Sequence, residues 1–279
     1  MLNIIDVGKH FGSMNVSSIS YDNLTVKDKV YLLEQYGANV LDLHDIVLTG
    51  PIKRELFDRH RMEMAHDFGF DDKRMFVANQ DKKDGSYFEL TKDVVEATSD
   101  GWDLDIPEDI LIITDKVPGV VAGYPIADCP VVMVCDAKKG VTALAHCSCE
   151  LIDKKMPMMV VDALQRAYDS KDDDLIAYIS ACAGDGWTYN NYPRWATDRK
   201  LWDGAIREEN GVFRIDMRSV LTKELNEAGV SMGSFSSIDT RTNSNYYSNS
   251  MASVNGGNDS SKAGRNFSGA FYRYYSQPR

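Results

Sequence analysis

The chain of 279 residues has no run of about 18 apolar residues, so no membrane-spanning helix is expected. Its first stretch, Met1 to His10, is briefly apolar and meets Asp6 and Lys9 early, which does not fit a signal peptide. Cysteine is scarce: there are 5, an odd number, and no CxxC pair. That excludes a disulfide framework and points to reduced thiols in the cytoplasm. Positive charge is in deficit, with 31 Lys plus Arg against 42 Asp plus Glu, a net charge of −11. Such a chain is a poor non-specific ligand for nucleic acid. Walker A, GxSxG and HExxH motifs are missing, and Gly184-Asp185-Gly186 lacks the third glycine of a dinucleotide loop.

What remains suffices for a sizeable core: 43% of residues are hydrophobic and 10% aromatic. Apolar spacing predicts helices at Val26–Tyr36, Pro51–Phe70, Pro157–Tyr168 and Val220–Ala228. Strands are expected at Val40–Thr49, Ile110–Thr114, Val120–Ile126, Val131–Cys135, Val141–Ala145, Leu175–Ile179 and Gly264–Tyr272. Residues 242–261 are almost all Asn, Ser, Gly, Tyr and Thr, as in a long loop or flap. With no internal repeat and no linker, the expected architecture is one α/β domain over residues 1–279, a mixed α+β sandwich. From Arg241 onward there are five basic residues and one acid. That imbalance suits either a solvated tail or a site for an anion such as phosphate.

Chemistry concentrates around Cys129 and His146. A hairpin turn centred near residue 138 would set Cys129 opposite His146 on neighbouring strands. A thiol beside an imidazole ligates zinc or, alternatively, forms a nucleophile and base. The plainer alternative is a small buried thiol and a strand-end histidine. Asp128 adjoins the pair, and Cys147 and Cys149 lie just beyond. His44, His60 and His66 sit in helical or strand patterns and are expected to be structural or exposed, and the Tyr246-Tyr247 and Tyr274-Tyr275 pairs to pack.

These residues resemble the laccase-domain family, polyphenol-oxidase-like proteins linked to purine nucleoside phosphorolysis. Ile126-Ala127-Asp128-Cys129-Pro130 is similar to the family's Thr-Ala-Asp-Cys-x-Pro, with the proline one place early. Ala145-His146-Cys147-Ser148-Cys149-Glu150 stands where the family has Ala-His-Ala-Gly-Trp-Arg, and Gly264-Arg265 matches its late Gly-Arg. The likeness runs from about residue 56 to 273. It implies a nucleoside and phosphate as small-molecule partners, Arg265 as an anion contact, and zinc held by two His and one Cys. Cys129 and His146 match two of those ligands, while Lys82 stands at the third and has no lone pair when protonated. Glu150 replaces one family arginine, and Ser250 and Met251 replace a further pair. The family fold is also similar to the catalytic domain of cytotoxic necrotising factors, which uses a Cys–His pair for deamidation. Three functions follow as expectations. One is a purine nucleoside enzyme with Cys129, His146 and Asp128 at its centre. The others are a metal-free Cys–His hydrolase and a non-catalytic binding protein.

Overall fold

A computed structural model describes residues 2–7, 58, 61–62, 64–66, 68–185, 187–243, 245–251 and 266–273. In chain order the strands are β1 (Leu2–Val7), β2 (Met75–Val77), β3 (Tyr87–Glu89), β4 (Ile110–Thr114), β5 (Val121–Ile126), β6 (Val131–Asp136) and β7 (Val141–His146). There follow β8 (Leu175–Ile179), β9 (Trp187–Tyr189), β10 (Ile206–Glu209), β11 (Val212–Ile215), β12 (Ser231–Phe235) and β13 (Asn266–Tyr272). The helices are α1 (Lys92–Ala97), α2 (Cys149–Asp153), α3 (Met156–Tyr168) and α4 (Met217–Glu227).

Six strands form one sheet in the order β12-β8-β6-β7-β4-β3, and four form a second in the order β1-β13-β5-β2. A small third sheet has the order β10-β11-β9. The central strands β4, β6 and β7 are nearly continuous apolar runs because both of their faces are buried. One face, with Leu111, Met133 and Leu144, packs on Phe76, Ala122, Tyr124 and Ala270 of the four-stranded sheet. The opposite face, with Val132, Val134, Ala143 and Ala145, packs on Val160, Leu164, Leu221 and Leu225 of α3 and α4. Beyond the four-stranded sheet, Met75, Phe267 and Phe271 meet Met64 and Trp102. The chain is therefore the expected α+β sandwich, with helices on one sheet and the second sheet on its other face. Gly123 permits the close stacking in the four-stranded sheet: a Cβ there would lie 2.2 Å from the Phe267 ring.

The long apolar elements fall where apolar spacing put them, and the differences have local causes. Helix α4 starts earlier than apolar spacing suggests because the Asp216 side chain caps it, accepting from Ser219 N at 3.0 Å. Short strands β2, β3 and β9 to β12 have too few residues to show a period. Of the Pro51–Phe70 helix, residues 58, 61–62, 64–66 and 68 are described and helical. The elements expected at Val26–Tyr36 and Val40–Thr49, residues 252–261 of the polar loop, and Arg265 lie outside the described residues.

The hairpin register differs by two residues from expectation. His146 faces Val131, not Cys129, and Asp136 faces Val141. The turn is set by the Asp136 carboxylate, which accepts from Lys138 N and Lys139 N at 3.0 Å, and by Gly140 at φ +63°. This places the turn's centre further along the chain. A two-residue slip preserves which face each residue takes, but it leaves Cys129 just outside the strand.

Candidate active site

His146 ends β7 and is half-buried. Its Nδ1 lies 2.7 Å from Gln80 Oε1. The Gln80 amide nitrogen donates to His146 O at 3.0 Å and to Asp109 O at 3.3 Å, so Oε1 is the end left to accept. Nδ1 therefore carries the proton, and in the neutral ring Nε2 keeps its lone pair. Gln80 is buried and takes a left-handed backbone at φ +57°. That conformation turns its side chain onto the end of β7 and not along the outgoing loop.

Asp109 anchors that loop. Its buried carboxylate accepts from the backbone N–H groups of Lys83 (2.9 Å), Asp84 (2.7 Å) and Gly85 (2.9 Å). Its carbonyl takes Gln80 and also the hydroxyl of fully buried Tyr124, at 3.0 Å. The single hydroxyl hydrogen is shared with Leu144 O, also 3.0 Å away, and the Tyr124 ring lies 6.4 Å from that of His146. Burial pushes the Tyr124 phenol well up, so it remains a donor. Lys82 points outward instead, to Glu108 at 2.6 Å, and that carboxylate raises its pKa.

Cys129 is half-buried in the bend between β5 and β6. The residues that follow Cys129 and His146 are joined, because Cys147 N donates to Pro130 O at 2.8 Å. The structure thus brings both residues to one sheet end. Asp128 is buried with φ +81°. Its Oδ1 accepts from Thr240 Oγ1 at 2.7 Å and its Oδ2 from Ser250 N at 2.6 Å. Its carbonyl accepts from Ala183 N at 2.8 Å. Asp128 therefore ties three segments around Cys129, and both of its carboxylate oxygens are engaged.

Cys147 and Cys149 are buried on the helix side, where Cys147 Sγ meets Ala145 O at 3.6 Å and Cys149 Sγ meets Met217 Sδ at 3.6 Å. Burial pushes both thiols well up, and Glu224 adds to the rise at Cys147. Burial also pushes the Tyr189 phenol up to about 12, with Cys149, Cys129 and Asp128 adding to it. The Tyr189 ring stacks on Trp187, with centroids 5.8 Å apart, and meets Trp195 edge-on at 6.1 Å. Glu150 is exposed in the first turn of α2, and His66 is exposed.

Among the described residues no group of three or more His, Cys, Asp or Glu is placed to hold a metal ion. Cys129 and His146 supply two donors, while Asp128, Cys147, Cys149 and Lys82 are engaged as given above. These residues do not complete a three-ligand zinc set. Sequence reasoning missed Gln80, Tyr124, Tyr189 and Thr240. Gln80 lies only two residues before Lys82, the residue that stands at the family's third-ligand position.

A two-sheet α+β sandwich with a thiol and an oriented imidazole at one sheet end defines the class. The family model described as multi-copper polyphenol oxidoreductase laccase matches residues 53–269, and the chain belongs to that family. Its fold is similar to that of the Bacillus licheniformis hypothetical protein YfiH, at TM-score 0.68 and 19% identity over 85% of this chain and 86% of that one. YlmD from Geobacillus stearothermophilus gives TM-score 0.69 and 18% identity over 85% and 86%. The Neisseria meningitidis protein NMB0706 gives 0.63 and 16% over 85% and 87%. No curated protein matches the chain by sequence. Among the described residues no helix is long and apolar enough to cross a membrane.

Proposed function

We propose that the chain is a Cys–His hydrolase that releases ammonia from an amidine or amide carbon, with purine nucleosides as the substrate class. The observation that carries this reading is the Gln80–His146 hydrogen bond. It holds the imidazole in the tautomer whose Nε2 accepts a proton, which is the arrangement of a base oriented by a third group. In this reading the Cys129 thiol passes its proton to Nε2 and the sulfur adds to the electrophilic carbon. The imidazolium then protonates the amine, the C–N bond breaks and ammonia leaves. Water, deprotonated by His146, attacks the same carbon, the C–S bond breaks and the thiol is restored. One water is consumed for each ammonia released. Five cysteines outside any disulfide support a reducing, cytoplasmic setting, and the net charge of −11 supports a small-molecule substrate over nucleic acid.

Family membership supports a second reading, phosphate-dependent release of the base from a purine nucleoside at the same centre. One assay separates the two. Purified protein is incubated with adenosine, guanosine or inosine, with and without phosphate, in chelator or with added zinc, while ammonia and free base are measured. Ammonia release that ignores phosphate and chelator, and vanishes in Cys129→Ala and His146→Asn, is the expected result. Base release that requires phosphate would establish the second reading. The absence of both products from folded protein removes both and leaves a binding protein.

A further inference from the structure

We propose that a cavity between the start of α4 and the end of β12 binds a basic α-amino acid, a ligand with one carboxylate and two cations on a short aliphatic stem. The cavity has a volume of about 510 Å³, which suits a small molecule. Three segments line it: Asp185 after β8, Asp216 and Arg218 at the start of α4, and Phe235 and Asp239 at and beyond the end of β12. Neither Cys129 nor His146 is part of its wall, so the site stands apart from the nucleoside chemistry.

Charges of both signs meet in this cavity without neutralising one another. Asp216 Oδ1 accepts from Ser219 N at 3.0 Å, and Asp239 Oδ1 accepts from Gly184 N and Arg241 N, both at 2.9 Å. Among the described residues neither carboxylate has a cationic partner, and the second oxygen of each has no donor. Arg218 gives Nη2 to the Ile238 carbonyl, and its buried Nε has no acceptor among the described residues. Asp185 differs, because its Oδ2 lies 3.4 Å from Arg207 Nη2. The unpaired set is therefore two carboxylates and one guanidinium. A ligand with one carboxylate and two cations is its complement. The carboxylate takes the Arg218 donors, and the α-ammonium and the side-chain cation divide between Asp216 and Asp239. Phe235 ends the edge strand β12 and is 56% exposed. Its ring offers a face to the aliphatic stem and to the cation at its tip. A bare metal ion would leave Arg218 repelled and unmatched, and a phosphate would face two carboxylates, so a ligand of both signs is favoured.

The test removes one charge of the ligand at a time. L-arginine and L-lysine are titrated by calorimetry into the full chain, beside three truncated ligands. Agmatine lacks the carboxylate, Nα-acetyl-L-arginine lacks the α-ammonium, and L-norleucine lacks the side-chain cation. Arginine and lysine should bind, and each truncated ligand should bind about 10-fold or more weakly. Arg218→Gln should weaken arginine by about the same factor and leave agmatine unchanged, whereas Asp239→Asn should weaken both. Agmatine binding as tightly as arginine, affinity indifferent to Arg218, or no heat at millimolar arginine overturns the proposal. If the variants do not fold, the parent protein decides. Contacts between the arginine methylene protons and the Phe235 ring are then expected in nuclear Overhauser spectra, and their absence at saturating arginine overturns the site. Nucleoside turnover, present or absent, leaves each of these outcomes readable.

Discussion

Gln80 and His146 lock each other: the amide oxygen takes Nδ1 at 2.7 Å while the amide nitrogen holds the His146 carbonyl at 3.0 Å. Two bonds from one side chain fix both the ring's rotation and its tautomer. Gln80→Leu removes both without adding charge. The expected result is loss of the single Nδ1-protonated tautomer in nitrogen NMR spectra, with turnover falling about 10- to 100-fold. A Leu variant that keeps a single tautomer and full activity would remove Gln80 from any positioning role.

Asp128 offers a separate handle on the same centre. Asn tolerates the positive φ of +81°, so Asp128→Asn tests the hydrogen bonds without straining the backbone. Its amide nitrogen would face either the Thr240 hydroxyl or the Ser250 N–H, and the second arrangement sets donor against donor. A loss of about 1–3 kcal/mol is expected in denaturant melts. Faster hydrogen exchange at the Ser250 amide should accompany it. Unchanged exchange there would mean that Asp128 does not hold the 240–251 segment.

Cysteine chemistry gives a residue-level check. Cys129 and Cys135 are half-buried, whereas Cys147, Cys149 and Cys182 are buried. Iodoacetamide on the folded protein should therefore label Cys129 and Cys135 only. A thiol that passes its proton to His146 should also react faster than Cys135. Equal rates at the two sites would count against the nucleophile assignment.

The core strands were legible because their apolar runs are long, and β4 to β8 follow the expected ranges to within a residue or so. The pairing of Cys129 with His146 was legible as a neighbourhood and not as a register. Its true register depends on an Asp136 turn whose length the apolar pattern does not encode. Gln80 was hidden for a different reason. Its role depends on a left-handed backbone and on a loop wrapped around Asp109, 29 residues away in sequence. Lys82, at the position of the family's third ligand, lies on the same loop, but its side chain faces Glu108.

Arg61 and Asp100 form a buried two-point pair, with Nη1–Oδ1 at 2.5 Å and Nη2–Oδ2 at 2.9 Å. Burial pushes the Asp100 carboxyl up, but hydrogen bonds from Arg61 and Lys73 outweigh it and hold the group well below the usual carboxylate range. Asp100→Asn keeps the shape and removes the charge opposite a fully buried guanidinium. About 3 kcal/mol of stability should be lost at neutral pH. In the parent protein this contribution is present above the ordinary carboxylate pKa and fades as pH falls below it. A variant within about 0.5 kcal/mol of the parent would show that the remaining partners, Asp58 and Asp72, suffice for Arg61.

Glu224 behaves in the opposite sense. It is fully buried on α4, and burial pushes its carboxyl up to about 7, against the pull of Lys155 Nζ at 3.5 Å. Between its ordinary value of 4.5 and about 7 the folded protein holds a proton that the unfolded chain has released. Unfolding therefore releases a proton in this window, and Glu224's contribution to stability declines as pH rises through it, at a limiting slope of about 1.4 kcal/mol per pH unit. Glu224→Gln removes the titration while keeping the volume. Denaturant midpoints measured from pH 5 to 8 should fall with pH in the parent and fall less steeply in the variant. The variant should also gain most in relative stability at pH 8, where the parent must bury a charge with Lys155 as its nearest cation. Parallel curves for the two proteins would place the Glu224 pKa near its ordinary value and make the Lys155 contact sufficient for its charge.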